Sequence, residues 1–433
     1  MYKFSIFIIQ LLLLIITLTF IFTNPFIISL DIGNLKYSFS SNLFFIISIS
    51  LIFILYFFLY IFFRSRLSVG KYLLKNKYNK IEKGYLYFVD AMIAIANKDN
   101  KTAIKSHRKM TSYLKDDPSL SLLLKSEVLK IEKKYPELNH VYEDMIKSKK
   151  TQTLGYRGLM EQNLKNHDYH HAFLYGEKLF SLNPNIEKLY ETLIFIAAKT
   201  KNWNQLISLS DKAFSNKIIN KSGFNENKSI GYYEIAKIKF DSDPKDALRN
   251  ILKAIELKKN FPPYIKLHLE IFANLSDKGG LSKLIKKYWN LNPSSLLRSI
   301  ITKILIENDL SETKFIADLV KNNRNLEESK KLLIYFAIKN LNWNLARQNI
   351  SGMIGANPSK EICYFMSNIE LGENNDKQKS DAWIMRAENT SMENTWICRI
   401  TNQTQDEWSS LSNSGNYNSL VWTSYKMLRQ NNT

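Results

Sequence analysis

Apolar positions recur at helical spacing along almost the whole chain, most clearly in Thr153–Pro184. Leu154, Leu159, Met160 and Leu164 share one helical face, Asn166-His167-Asp168 supplies turn chemistry, and Ala172, Tyr175, Leu179 and Leu182 rebuild an apolar stripe until Pro184 stops it. The pattern predicts a helix–turn–helix unit. With Ala172 as the small residue where the second helix crosses the first, equivalents fall at Ala103, Leu138, Leu206, Ala247, Leu281, Phe315 and Ala346. The successive intervals are 35, 34, 34, 41, 34, 34 and 31 residues. A proline closes the unit 12 residues after the anchor three times, at Pro184, Pro293 and Pro358.

A period near 34 is that of tetratricopeptide-like repeats. The small residue wanted 12 places before the anchor is replaced by Met160, Ile235 and Ile334, so the repeats are degenerate. The expected fold is all-α: a tetratricopeptide-like α-solenoid over residues 84–373. Breaks are expected at Lys221–Ser229, which carries the extra residues of the long interval as a hinge or an inserted loop, and at the Ser276–Gly280 turn.

Two stretches do not alternate. Residues 4–22 and 43–63 carry no charge, and each is long enough to cross a hydrocarbon core of about 30 Å at 1.5 Å per residue. Two transmembrane helices are expected. The first lacks an A-x-A-like cleavage site, and the second would anchor the chain regardless. Between them Leu30, Ile32, Leu35, Tyr37 and Phe39 alternate about Gly33-Asn34, the pattern of a small β-hairpin. Lys3 before the first span, and Arg64, Arg66, Lys71, Lys75 and Lys77 after the second, put both termini and the repeats on the cytoplasmic side. A basic juxtamembrane helix at 65–83 has Leu67, Tyr72, Leu73, Leu74 and Tyr78 as its apolar set. It reads either as a segment gripping anionic lipid of the inner leaflet or as the first solenoid helix.

With 14 Gly, 9 Pro and 13% aromatics in 433 residues, the composition excludes a many-turned β protein and a disordered chain. The formal charge of +20 is spread over every repeat, with no recognition motif, so it indicates a diffuse cationic surface and no nucleic-acid partner. Two isolated cysteines, Cys363 and Cys398, exclude a disulfide framework and suit a reducing compartment.

No Walker loop, nucleophile elbow, H-E-x-x-H or haem-attachment motif occurs, so no catalytic residue is assigned and the chain is not expected to be an enzyme. His167, His170 and His171 gather at one turn, where an i, i+4 pair could approach a metal or a haem edge. Such a pair needs a third ligand, and polar residues beside turns are ordinary, so no cofactor is assigned. Glu161 with Lys165 fits a helix-surface pair. Tyr156 and Arg157, preceding the core positions Leu159 and Met160, are candidates for the partner-binding wall of first helices, with packing on the neighbouring repeat as the alternative. The tail, residues 374–433, changes character: Trp396, Trp408 and Trp422 lie in a stretch without helical period.

Three features together resemble the HemY-type inner-membrane proteins of proteobacteria, which are associated with haem biosynthesis and distinct from the protoporphyrinogen oxidase of the same name. They are the paired N-terminal spans around a short loop, the Leu154–Met160 stretch LGYRGLM with Ala172 and Pro184 after it, and the N-W-N turns at Asn202-Trp203-Asn204 and Asn342-Trp343-Asn344. The tail is similar to a rubredoxin-like ribbon whose cysteines are nearly gone: Cys398 keeps the first ligand place, while Thr401, Ser412 and Ser414 stand near the other three, so no metal is expected. The Trp side chains are expected to replace the metal as a staple, packed on each other or on the last repeats. The resemblance implies a membrane-anchored interaction scaffold of late haem or porphyrin metabolism, with haem-pathway enzymes as protein partners. A haem or porphyrin carrier and an envelope-assembly (lipopolysaccharide) regulator are the alternatives.

Overall fold

The computed structural model describes residues 2–24, 26–33, 35–114, 118–275, 278–355, 357–390 and 394–424. The turn residues Asn34, Ser276 and Asp277 invoked above lie outside these, as does the side chain of Leu67. The chain divides into two compact units, Met1–Tyr135 and Pro136–Thr433.

In the first unit, α1 (Tyr2–Thr23) leads into a hairpin of β1 (Ile27–Ile32) and β2 (Leu35–Ser40), paired from Ile27↔Ser40 to Ile32↔Leu35. Gly33 takes φ +62° in the turn, the region that favours glycine. One helix, α2 (Ser41–Ala96), follows without a break for 56 residues. Its segment Ser41–Arg64 is long and apolar enough to cross a membrane, whereas the apolar stretch of α1 within the described residues, Ile8–Phe20, is shorter. The last turns of α2 bury Ala91 and Ala94 beside α3 (Asn100–Tyr113), and α4 (Pro118–Glu132) adds Leu124 to the same core. The basic segment at 65–83 is therefore the middle of a continuous helix, with no helix boundary on either side of it.

The second unit starts its helices with α5 (Tyr135–Ile146) and continues in pairs: α6 (Gln152–Lys165) with α7 (Tyr169–Leu182), α8 (Leu189–Lys199) with α9 (Trp203–Ser215), and α10 (Lys221–Lys239) with α11 (Pro244–Leu257). Then come α12 (Pro262–Leu275) with α13 (Lys278–Leu291), α14 (Ser295–Glu307) with α15 (Thr313–Leu319), α16 (Glu327–Lys339) with α17 (Trp343–Ile350), and α18 (Lys360–Asn374) with α19 (Lys377–Glu388). The array is all-α and made of stacked helical hairpins.

One turn recurs between the two helices of a pair, and it explains the period. The first helix ends, one residue takes the left-handed conformation, and an Asp or Asn caps the second helix. Lys98-Asp99, His167-Asp168, Lys201-Asn202, Leu341-Asn342 and Asn375-Asp376 are its instances, with φ between 50° and 59° at the first residue. In four of the five the cap's N–H reaches back five residues to the first helix, Asp99 to the Ala94 carbonyl, Asn202 to Ala197 and Asn342 to Ala337 at 2.8 Å, Asp168 to Asn163 at 2.9 Å, while Asp376 reaches six residues back to Glu370 at 3.1 Å. This is the Schellman arrangement, built here without glycine. The cap's carbonyl then accepts from the residue four places on, which is the anchor: Ala103, Ala172, Leu206, Ala247 and Ala346 bond to Asp99, Asp168, Asn202, Asp243 and Asn342. All five anchors are fully buried.

Two positions are corrected by this rule. At α15 the anchor is Ile316, which bonds to Glu312 and is fully buried, while Phe315 is only half-buried. At α19 Ser380 bonds to Asp376 and is buried. The helices thus run to Glu388, one helix beyond residue 373, because a polar Ser occupies the anchor and hides α19 from an apolar pattern. Leu154 and Leu182, counted as core from spacing, are more than 40% exposed.

The LGYRGLM stretch is explained by its glycines. A Cβ on Gly158 would lie 2.3 Å from the Tyr142 ring, and one on Gly155 would lie 2.8 Å from the Tyr142 carbonyl oxygen, so both glycines let α6 close on α5. The N-W-N turns place each Asn at the cap and each Trp at the first helical position. Trp203 is buried, and Trp343 abuts Gly372 of α18.

Lys221–Ser229 is neither hinge nor loop. Its residues extend the start of α10, whose 19 residues are capped by the Asn220 side chain accepting from the Gly223 N–H at 2.9 Å, and Phe224 stacks on Phe214 at 4.6 Å. An insertion long enough for an extra turn, with a capping Asn before it, costs less as helix than as loop.

Candidate functional site

The extra length of α10 sits where the tail lands. Residues 395–423 form a three-stranded antiparallel sheet, ordered β4-β3-β5, from β3 (Thr395–Cys398), β4 (Thr404–Gln405) and β5 (Leu420–Thr423). The sheet packs on α10 and α12, in the middle of the array and not on its last repeats. Trp408, only 7% exposed, meets Tyr233, Phe261 and Tyr264 edge-on with ring centroids 5.1–5.8 Å apart. Trp396 is buried between Phe261 and Trp422, at 6.2 and 5.4 Å. Such edge-to-face pairs add to the area each ring buries.

Polar bonds fix the register of docking. Tyr417 donates to Asn227 Oδ1 at 3.0 Å, and Asn227 Nδ2 donates to the Tyr190 hydroxyl at 2.9 Å. Lys266 pairs with Glu407 at 2.6 Å across the seam, while on the array side Lys258 pairs with Glu226 at 2.9 Å. Lys266 is the largest influence on the Glu407 carboxyl and lowers its pKa; burial opposes. Burial works to raise Glu226, but the Lys258 ammonium together with Asn418 and Arg399 outweighs it, so its pKa too is lowered. Glu226 and Asn227 belong to the added turns of α10. The 41-residue interval therefore builds the edge on which the tail closes.

The seam is not filled completely. A groove of about 550 Å³ runs between β5 and the starts of α12 and α14, lined among others by Lys258, Phe261, Leu296, Arg399 and Trp422. These residues come from first helices, the preceding turns and the sheet. Spacing along the repeats cannot show such a site, because its halves lie far apart in the chain, ending at Leu296 and resuming at Asn394; the signals available were the long interval and three tryptophans after the repeats.

The four ribbon positions meet in space. Ser414 Oγ lies 3.7 Å from Cys398 Sγ, 3.1 Å from Thr401 Oγ1 and 2.9 Å from Ser412 Oγ. Ser419 Oγ and Asn416 Nδ2 also approach the sulfur, at 3.2 and 3.8 Å. Burial works to raise the Cys398 thiol, but hydrogen bonds from Ser419 and Thr401 and from the amides of Thr401 and Ile400 outweigh it and hold its pKa at about 5. One thiolate and three hydroxyls that stay neutral make a poor site for zinc or iron. A hydrogen-bonded knot occupies the place of a tetrahedral centre, whose ligand atoms would stand about 3.8 Å apart for Zn–S bonds of 2.3 Å. Installing T401C, S412C and S414C together is expected to produce a stoichiometric zinc or cobalt(II) site with thiolate-to-cobalt absorption. The unsubstituted protein should carry no stoichiometric metal by elemental analysis.

The histidines take turn roles. His167 is the left-handed residue of its turn at φ 59°, a conformation in which His is enriched, and its ring Nδ1 lies 3.4 Å from the Tyr169 hydroxyl. His171 N–H and Nδ1 bond the two oxygens of the Asp168 cap at 3.1 and 2.8 Å. His170 stands on the surface, edge-on to His171 at 5.6 Å. Among the described residues, no three His, Cys, Asp or Glu side chains gather closely enough to hold a metal ion. The sixth histidine, His268, is buried against the Tyr288 hydroxyl at 2.6 Å, and burial lowers its pKa to about 4.

Tyr156 is half-buried and packs on Tyr175 at 6.4 Å. Arg157 is exposed and pairs with Glu161 at 2.9 Å, so Glu161 looks back one turn rather than on to Lys165. Arg157, Glu161, Leu164 and Thr192 line a groove of about 380 Å³ between α6 and α8.

No protein-family model matches this chain, and no curated protein matches it. Solved structures similar to it include a tetratricopeptide repeat protein from Parabacteroides merdae, at 12% identity and TM-score 0.28, covering 58% of this chain and 93% of that one. The yeast Tom70 structure is similar at 16% identity and TM-score 0.29, covering 73% and 77%. The TPR2AB domain of yeast Sti1 in complex with an Hsp90 peptide is similar at 10% identity and TM-score 0.30, covering 71% and 98%.

Proposed function

We propose that this chain is a membrane-anchored scaffold that holds protein partners on the first-helix face of its repeats, close to a bilayer. The observation that carries the reading is α2: an apolar stretch long enough to span runs without a break into a helix that packs the first hairpin. An anchor continuous with the repeats tethers whatever binds those repeats to the lipid. Binding would use grooves such as the one beside Arg157, with Tyr156 as packing behind it.

The resemblance to HemY-type proteins directs the reading to late haem or porphyrin metabolism, with pathway enzymes as partners and α1 as a second span. In that arrangement both termini face the cytoplasm. Deleting the chain should make porphyrin intermediates accumulate while the pathway enzymes remain active in detergent extract. Loss of one enzymatic step from the extract, restored by this protein alone, would overturn the scaffold reading. Periplasmic alkaline phosphatase activity from a fusion after Thr433 would overturn the topology.

A further inference from the structure

Beyond the apolar stretch, α2 is bare on every side for a full 13 residues: Lys71–Lys83 are all exposed, and the neighbouring hairpin begins to cover the helix only at Gly84. A lone helix of that length surrounded by water is marginal. Its apolar residues do not scatter. Leu74, Tyr78, Ile81 and Tyr85 follow one another at steps of four, three and four, each between 38% and 69% exposed; Met92 falls seven residues after Tyr85 on the side away from Ala91 and Ala94, while Phe88 between them packs on the hairpin core.

Steps of four, three and four are the d-a-d-a seam of a heptad. In that register Lys77 falls at g and Glu82 at e, five residues apart, the spacing at which g of one helix meets e of an identical parallel helix. Lys80 and Lys83 fall on the outer positions. The lipid surface fits this stripe poorly: at 1.5 Å per residue an unbroken helix carries Tyr78 about 21 Å along its axis from Arg64, beyond the headgroups if the span stands upright.

We propose that the face Leu74–Met92 of α2 is a dimerisation surface whose occupant is the same helix of a second copy, parallel and in register. Charge complementarity selects this occupant: Lys77 meets the second copy's Glu82 on both edges of the seam, whereas an antiparallel pairing opposes g to g and e to e. The parallel sense also agrees with the anchor reading, since two helices leaving one bilayer point the same way. The seam itself is a property of the sequence and does not need the scaffold role.

The test is oxidative crosslinking of full-length protein in native membranes. Single cysteines at Tyr78→Cys and Tyr85→Cys, at seam positions within disulfide reach, should give roughly tenfold more dimer than Lys80→Cys on the outside. The native Cys363 and Cys398 are buried and serve as the background. In the Y78C protein, Lys77→Glu or Glu82→Lys alone should reduce the dimer, and the two together should restore it. Restoration by the double change separates a parallel seam from a folding defect. Equal crosslinking at Tyr78→Cys and Lys80→Cys, no dimer at either seam position, or a charge-swapped pair that stays as weak as its single changes would overturn the proposal. Alkaline carbonate extraction of the same membranes reports insertion independently, so a failed anchor is not mistaken for a failed seam.

Discussion

Replacing Trp408 by Ala is expected to release the tail sheet from the array and to lower stability by about 3–5 kcal/mol, the usual cost of emptying a large aromatic site. Trp408 is the member of the nest that touches Tyr233, Phe261 and Tyr264 together, and each of those rings belongs to the array's own core. The helices have their own buried anchors and should stay folded, because neighbouring hairpins stack whether or not the sheet is present. Limited proteolysis should cut within residues 395–423 in the Trp408→Ala protein and spare them in the parent, with the far-UV helical signal preserved. An unchanged melting temperature together with unchanged protection would show that the sheet is held elsewhere.

A second large effect is expected at Arg298, which is only 9% exposed. Its guanidinium joins Glu328 and Glu361, both at 2.7 Å, so one side chain of α14 ties together α16 and α18. Lys331 sits in the same cluster with Glu327, Glu328 and Glu361 at 2.7–3.7 Å. Burial alone would lower the Lys331 pKa, but the carboxylates outweigh it and hold it above 10.5, so its contribution is present at neutral pH and is lost as pH rises past that value. Removing one partner of a buried network leaves charge without compensation, a loss of about 3–5 kcal/mol. Arg298→Ala should therefore lower the denaturation midpoint, while Arg298→Met, combined with Glu328→Gln and Glu361→Gln, should recover part of the loss. A single-variant loss within about 0.5 kcal/mol, the range of ordinary surface changes, would contradict this account of the cluster.

The repeats were legible because their determinants are local. An anchor four residues after an Asp or Asn cap is a signal carried by fewer than ten residues, and it places Ala103, Ala172, Leu206, Ala247 and Ala346; a left-handed residue precedes the cap in all of these but Ala247. Apolar spacing alone misplaced the anchor at Phe315 and stopped before Ser380; the cap at Asp376 would have found the last hairpin. The tail's landing place was not legible, since Trp408 and Tyr233 are joined only by folding. The tryptophans announced that something would be buried, and the extended α10 announced an irregular edge, but pairing the two required coordinates. The histidine cluster at the turn resolves into one turn residue, one cap partner and one surface ring.

In the proposed scaffold a protein partner sits on the first-helix face of the repeats. A photoreactive amino acid at Arg157, in the groove between α6 and α8, tests it most directly in native membranes, with the same probe at the exposed Lys178 of α7 as the outer-face comparison. A discrete protein adduct is expected from Arg157 and none from Lys178. No adduct at Arg157, or the same adducts at both positions, would contradict it.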